Sequence, residues 1–385
     1  MVAFSSVRIV VDYRPALVER TGVGELVHEL AAALGAPEGP LAPADALTLF
    51  TSSRRDRPSA GLAAAIGRAH VVDRRIPVRA LTWAWHHLEW PPIERLAGAC
   101  DVAVSPTPLL VPTRRAAQVV TINDLDFLAH PERTHAEMRR DYPRLVHAHT
   151  ARADAVLVIS EHTAREATRQ LGLPAGRLHL CRPGAPVWAP EVIAARAGVG
   201  DRIILFLGTL EPRKNVGTLL DAYERLVDRH PGAPRLVLAG RVTPAAAAWV
   251  ERAGRGRLTG RVDVRGYVSE AERRRLLAAA VVLVLPSHDE GFGIPVLEAM
   301  ACEVPVVVSN RGALPEVAGD AGAIVEPEDV EAMADAMARL LDPAAAVPAI
   351  ARGRVQAGRF TWAAAARAAY GACTAAVATR AARQG

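Results

Sequence analysis

The amino-acid sequence predicts an α/β protein built from two doubly wound, Rossmann-like domains facing a cleft, and three observations lead there. Short β-branched runs alternate with helix-forming stretches, the alternation occurs twice, and a proline-rich stretch that breaks all periodicity separates the two series. At 385 residues the chain is long enough for two ordinary domains, each with a full core.

In the first series Val7 to Val11 reads as a strand, followed by a loop holding Gly22 and Gly24 and a helix from Glu25 to Leu34. Further strands are predicted at Ala46 to Phe50, Ala69 to Val72, Val102 to Ser105, Gln118 to Ile122 and Ala155 to Ile159. Ser160 is placed to cap a helix running to Gln170, and Gly172 to end it. The interdomain linker is expected between Arg182 and Pro190. The second series has strands at Ile203 to Leu207, Leu236 to Ala239, Val262 to Arg265, Val281 to Leu285, Pro305 to Val308 and Ala323 to Val325. After Pro343 comes an alanine-rich helical tail, in which Phe360, Trp362 and Tyr370 are anchors for packing on the first domain. The expected domains are 1–186, 187–358 and a C-terminal helix, 359–385, returning to the first.

Composition narrows the function classes. No apolar run reaches the roughly 18 to 20 residues of a membrane span, and the N-terminus shows no signal-peptide pattern. The four cysteines are far apart, without CxxC spacing, which fits a reducing cytoplasm. The formal charge of +5 is modest and the arginines are dispersed, so nucleic acid is not an expected partner; an anionic small ligand or an acidic membrane surface is compatible with this balance.

Two turns carry the chemistry. Directly after the first strand of the second domain stands Gly208-Thr209-Leu210-Glu211-Pro212-Arg213-Lys214-Asn215, where Asn215 is placed to cap the helix from Val216. Arg213 and Lys214 there are either an exposed basic pair or a clamp for a diphosphate at the ligand-binding edge of the sheet. Further on, Glu290 and Glu298 bracket a turn in which Gly291, Phe292, Gly293 and Ile294 lead into a helix with Pro295 as its first residue. Small residues leave the amides there open to a phosphate or a sugar hydroxyl.

This combination, Gly-Thr-x-x-x-Arg-Lys-Asn, then Gly266-Tyr267-Val268, then two glutamates with seven residues between them, resembles the donor-binding half of a GT-B glycosyltransferase of family 4. The order and spacing match over residues 203 to 341; the likeness runs more loosely through Gly22-Val23-Gly24, Thr121 to Glu132 and Ser160 to Thr163. The resemblance implies a retaining transfer of a hexose from a nucleotide diphosphate sugar to a hydroxyl acceptor, with no metal and no cofactor. Arg213 and Lys214 would hold the diphosphate and stabilise its growing charge. Glu298 would accept from the ribose hydroxyls and Glu290 would sit beside the donor sugar. The backbone at Tyr267 and Val268 would line the base pocket, and Gly208 and Thr209 would also belong to the donor-binding set. The amides of Gly291 to Ile294 would meet sugar hydroxyls, and Gly22 and Gly24 would let the first domain's loop close over the phosphate. The acceptor, a growing glycan or lipid-linked sugar, would lie in the first domain. GDP-mannose is the leading donor, because Thr121 to Glu132 is most like members associated with mannose transfer, and a UDP-sugar is second.

One departure bears on activity. Where the family has His-Asp, this chain has Asn123-Asp124. Asn123 can hydrogen-bond but cannot become cationic, which implies a lower rate, an altered sugar preference or an inactive homologue. Asp124-Leu125-Asp126 also matches the metal-binding D-x-D of GT-A enzymes, but two tandem α/β series argue against that fold; Asp124 is then a cleft residue and Asp126 a cap before Phe127. An NAD-dependent oxidoreductase is a further alternative, weakened by the lack of G-x-G-x-x-G directly after a strand. Trp83, Trp85 and Trp90 form either core or an acceptor or membrane-interface patch, to which Arg139, Arg140 and Arg144 would add charge. His86-His87 lacks the spacing of a zinc pair.

Overall fold

The structure is a computed structural model that describes residues 6–17, 22–131 and 136–384, with the side chains of 136–140 outside the description. Glu132 and the side chains of Arg139 and Arg140, invoked above, therefore lie outside the described residues. The chain divides into two compact units, Met1–Gly184 with Thr361–Gly385, and Ala185–Phe360.

Each unit is an all-parallel sheet with helices packed on it. The first contains β1 (Arg8–Asp12), β2 (Ala46–Thr51), β3 (Ala69–Asp73), β4 (Val102–Ser105), β5 (Ala117–Ile122), β6 (Ala155–Val158) and β7 (Leu178–Leu180), in the order β3-β2-β1-β4-β5-β6-β7. The second contains β8 (Ile203–Leu207), β9 (Arg235–Ala239), β10 (Val262–Gly266), β11 (Ala280–Leu285), β12 (Val306–Ser309) and β13 (Ala323–Val325), in the order β10-β9-β8-β11-β12-β13. The central strands β4, β6, β8 and β12 are buried along their whole length, which is why they read as continuous apolar runs. β7 was not expected: three half-buried residues at a sheet edge, with His179 in the middle, leave no period to detect.

Both sheets reverse their winding once. The chain moves outward from β1 to β3 and then returns to place β4 on the other side of β1; in the second unit β11 returns to β8 in the same way. Beyond the carboxyl ends of such neighbouring strands the connections diverge and leave a crevice.

The last helix, Trp362–Gln384, packs in the first unit with the helix Val23–Gly35. Its buried residues Ala365, Ala369, Ala372 and Ala376 recur every three or four positions, so one face is small enough to lie close against its neighbours. Tyr370 Oη donates to Asp45 Oδ2 at 2.8 Å, tying the helix to the same unit. Phe360 corrects the expectation for the tail: it stays in the second unit, edge-to-face against Phe292 with centroids 5.6 Å apart. Pro190, included in the expected linker, already lies in the helix Ala189–Ala195.

The tryptophan cluster divides. On the helix Val78–Leu88, Trp85 is 1% exposed, packs on Phe50 and donates from its indole nitrogen to Pro91 O at 2.9 Å. Trp83 and Trp90 are 57% and 55% exposed, so Trp85 is core and the other two are surface.

Candidate donor site

The turn after β8 is shaped by close backbone approach. Gly208 N donates to Ala239 O at 3.0 Å and Gly240 N to Gly266 O at 2.8 Å, drawing together the ends of β8, β9 and β10. A Cβ on Gly240 would stand 1.9 Å from Gly208 O. The chain continues through half-buried Thr209 into a single 3-10 turn, Pro212–Lys214, which ends at Asn215 in the left-handed region with φ +54°. Asparagine tolerates that conformation. Asn215 stands at the N-cap of the helix Val216–Arg229, but its side chain does not cap the backbone as expected. It donates from Nδ2 to Pro327 O at 2.7 Å and accepts from Thr218 Oγ1 at 2.7 Å, pinning the turn to the segment after β13.

This turn faces the one after β11. His288 N donates to Arg213 O at 2.8 Å, and Lys214 Nζ donates to Glu290 Oε1 at 2.5 Å. Ser287 Oγ donates to the same carboxylate oxygen at 2.8 Å, and Ser309 Oγ to Ser287 O at 2.5 Å. Burial opposes the charge of Glu290, but Lys214 and Arg213, with the Ser287 hydroxyl, outweigh it and hold the carboxyl below its usual range. Arg213 meets Glu211 at 3.3 Å. The side chains of Arg213 and Lys214 are 17% and 12% exposed, so the pair is not an open basic surface. A buried ion pair is a costly way to stabilise a fold, which makes this location a candidate for function.

Glu290 is also gripped from behind. Its carbonyl accepts from Ala313 N at 2.9 Å, and a Cβ on Gly312, where φ is +60°, would come within 2.4 Å of Glu290 N. The chain then passes through buried Gly291, Phe292 and Gly293 into the helix Ile294–Ala301. Gly293, at φ +97°, lies against Leu314, and Phe292 turns its ring into the core, so what this segment offers a ligand is backbone.

Glu298, one turn into that helix, is 3% exposed and pairs with Arg273 at 2.8 Å. Sequence reasoning missed Arg273, which is one of three consecutive arginines on the helix Glu270–Ala279 with nothing to single it out. At the end of β10, Tyr267 is exposed and Val268 half-buried. Strand order thus explains the site: β8 and β11 are neighbours at the point where the winding reverses, so Arg213, Lys214 and Glu290 meet in the crevice.

The remaining expected residues belong to the first unit. Gly22, with φ +54° and open space around its missing Cβ, caps the helix Val23–Gly35; its backbone conformation, rather than crowding, calls for glycine. Gly24 is buried in the first turn of that helix. Asn123 donates from Nδ2 to Pro106 O at 2.9 Å, while its buried Oδ1 has no hydrogen-bond partner among the described residues. Asp124 is half-buried, and burial together with its charge pushes the Tyr142 hydroxyl up to about 12. Asp126 is the first residue of the short helix Asp126–Ala129, whose cap is Leu125, so it does not occupy the cap expected for it. Among the described residues no group of three or more His, Cys, Asp or Glu is arranged to hold a metal ion.

Residues 201–343 match the family described as Glycosyl transferases group 1. The O-antigen chain mannosyltransferase B of Escherichia coli is 34% identical over 262 residues, which are 66% of this chain and 68% of the relative. Glycogen synthase of Mycobacterium tuberculosis is 32% identical over 210 residues, 54% of this chain and about half (49%) of the relative. Among solved structures, sucrose-phosphate synthase from Thermosynechococcus elongatus superposes with a TM-score of 0.70 at 22% identity, covering 94% of this chain and 96% of that one. HepE of Anabaena, solved with UDP and glucose, superposes at 0.66 with 18% identity, covering 94% and 97%. The two solved structures speak for the fold, and the mannosyltransferase for the family. With two parallel sheets of this winding and a relative of that likeness, the chain belongs to the group 1 glycosyl transferases of GT-B fold and is a glycosyltransferase.

Proposed function

We propose that this glycosyltransferase transfers mannose from GDP-mannose, with retention and without a metal ion, to a hydroxyl of a growing glycan or lipid-linked sugar. The observation that carries the reading is the buried Lys214–Glu290 pair beside Arg213 at the reversal point of the second sheet. One guanidinium, of Arg213, and one ammonium, of Lys214, neutralise a diphosphate there through charge-assisted hydrogen bonds of about 1.5 to 3 kcal/mol each. As the bond between the sugar's anomeric carbon and the phosphate oxygen breaks, the negative charge gathers on the leaving diphosphate, where Arg213 and Lys214 hold it. The departing oxygen takes the acceptor hydroxyl's proton on the same face, and the acceptor oxygen forms the new glycosidic bond there. The protein aligns the reactants and stabilises charge. The likeness to the E. coli mannosyltransferase supports mannose as the sugar.

The acceptor belongs with the first unit in this reading. Exposed Trp83 and Trp90 support peripheral contact of that unit with an acidic membrane face. Among the described residues no helix is long and apolar enough to cross a membrane.

The test is thermal stabilisation by GDP, UDP, ADP and their sugars, because a ligand of the native state raises its stability by mass action. GDP and GDP-mannose are expected to give the largest shifts. A larger shift with UDP-sugars moves the donor to that class, and no shift with any of them overturns the site.

A further inference from the structure

We propose that Arg273 is a positioning residue that holds the Glu298 carboxylate in the one orientation that reads a ribose, so that it sets the preference of the site for ribonucleotides over deoxyribonucleotides. This rests on the reading of Glu298 as the acceptor of the donor's ribose hydroxyls.

The geometry is specific. Arg273 Nη1 lies 2.8 Å from Glu298 Oε1, and the two side chains are 15% and 4% exposed. Arg273 sits in the first turn of the helix Glu270–Ala279, whose cap Ser269 accepts from Glu272 N, and Arg273 N donates to Ser269 O at 2.8 Å. Its guanidinium lies over the ring of Trp188, 5.5 Å from the centroid, and Trp188 is itself 4% exposed. The other guanidinium on that ring is Arg274, at 4.9 Å, held outward by Glu191 and Glu270. Both ends of Arg273 are thus fixed, its backbone by the helix start and its head by the indole.

A carboxylate on a free side chain samples its broad terminal torsion and presents either oxygen. With Oε1 committed to a guanidinium that cannot lose its proton, the plane of the Glu298 carboxylate is set and the charge is kept in a nearly closed site. A fixed, buried acceptor pays its desolvation again whenever a ligand lacks the hydroxyl that should meet it, which is how a site rejects an analogue missing one hydroxyl. A restrained Glu298 therefore discriminates more sharply than a mobile one.

Calorimetric titration of GDP and UDP, each beside its 2′-deoxy and 3′-deoxy forms, tests this by the ratio of affinities within one protein, which a general loss of stability does not move. The wild type is expected to prefer the tighter-binding ribonucleotide about tenfold or more over its deoxy forms. Arg273→Met should reduce the ratio to about threefold or less, Arg273→Lys should fall between the two, and Arg274→Met, which removes the neighbouring guanidinium and leaves Arg273 on Glu298, should leave it unchanged. If Arg273→Met does not fold, Arg273→Lys decides: a ratio equal to the wild type's overturns the proposal. The proposal alone falls if Arg273→Met keeps the wild-type ratio while Glu298→Gln loses it. If the wild type and Glu298→Gln bind ribo and deoxy forms alike, the reading of Glu298 falls, and the role of Arg273 with it.

Discussion

Lys214 and Glu290 stand 76 positions apart in the chain, yet Lys214 Nζ and Glu290 Oε1 are 2.5 Å apart and both side chains are nearly closed to solvent. Each cation of the turn after β8 has a carboxylate beside it, Glu290 for Lys214 and Glu211 for Arg213. Both cations are therefore already oriented within the protein, each by a carboxylate of its own.

Arg213→Ala and Lys214→Ala should each lower kcat/KM by about two to three decades, as expected for a cation whose partner gains charge in the transition state. Lys214→Ala should also lower stability by about 3 to 5 kcal/mol, because it leaves the Glu290 carboxylate buried without its cation. Steady-state kinetics and urea unfolding measure the two effects, and unchanged kinetics in both variants would count against the site.

Among the groups that make stability fall on acidification, His86 and Glu290 act in different windows. Burial, with His149 and Arg14 nearby, lowers His86 from 6.5 to about 4. The unfolded chain therefore binds the extra proton first, and stability drops between pH 6.5 and 4. The folded pKa of Glu290 is below its ordinary 4.5, so its contribution is complete above that pH and is lost below it. Melting temperature against pH should flatten in the upper window for His86→Gln and in the lower window for Glu290→Gln.

Gly312→Ala should destabilise the protein by about 1 to 3 kcal/mol, since the left-handed backbone resists a side chain and the new methyl would press on Glu290 N. Because that pressure displaces Glu290, nucleotide-sugar binding should weaken in the folded variant. Calorimetry on the variant below its melting temperature checks this, and wild-type affinity would separate Gly312 from the site.

The surface tryptophans and the buried one should respond differently. Trp83→Ala with Trp90→Ala should abolish flotation with acidic liposomes while leaving the melting temperature unchanged. Trp85→Ala should cost about 3 to 5 kcal/mol of stability through the cavity it leaves. Absence of liposome binding by the wild type ends the membrane proposal.

Asn123→Ala should lower kcat by about one to two decades with little change in melting temperature. Among the described residues the side chain makes one hydrogen bond, to Pro106 O, and its buried Oδ1 has no hydrogen-bond partner, so a bound donor that reaches this oxygen would satisfy it. Equal kcat in the two proteins would remove Asn123 from the reaction.

Much was determined by local sequence alone. β8 and β11 are apolar and β-branched because both faces are covered, and the turn after β11 has a glycine, Gly293, where the backbone takes a positive φ. The spacing of Arg213, Lys214, Glu290 and Glu298 was enough to identify the family, and with the family the oxidoreductase alternative falls away. Asn215 was placed at a helix start for the right positional reason, but its amide is spent on Pro327 and Thr218, partners that no local rule could supply. The rest is non-local. That β11 lies beside β8 rather than β10 depends on which strand edges pair once the helices have covered both faces of the sheet, and only that order makes one crevice of two turns. Likewise, three adjacent arginines are equivalent on paper; packing on Trp188 and reach to Glu298 distinguish Arg273, and burial distinguishes Trp85 from Trp83 and Trp90. Burial and partner choice are properties of the assembled unit, because each depends on surfaces contributed by residues far away in the chain.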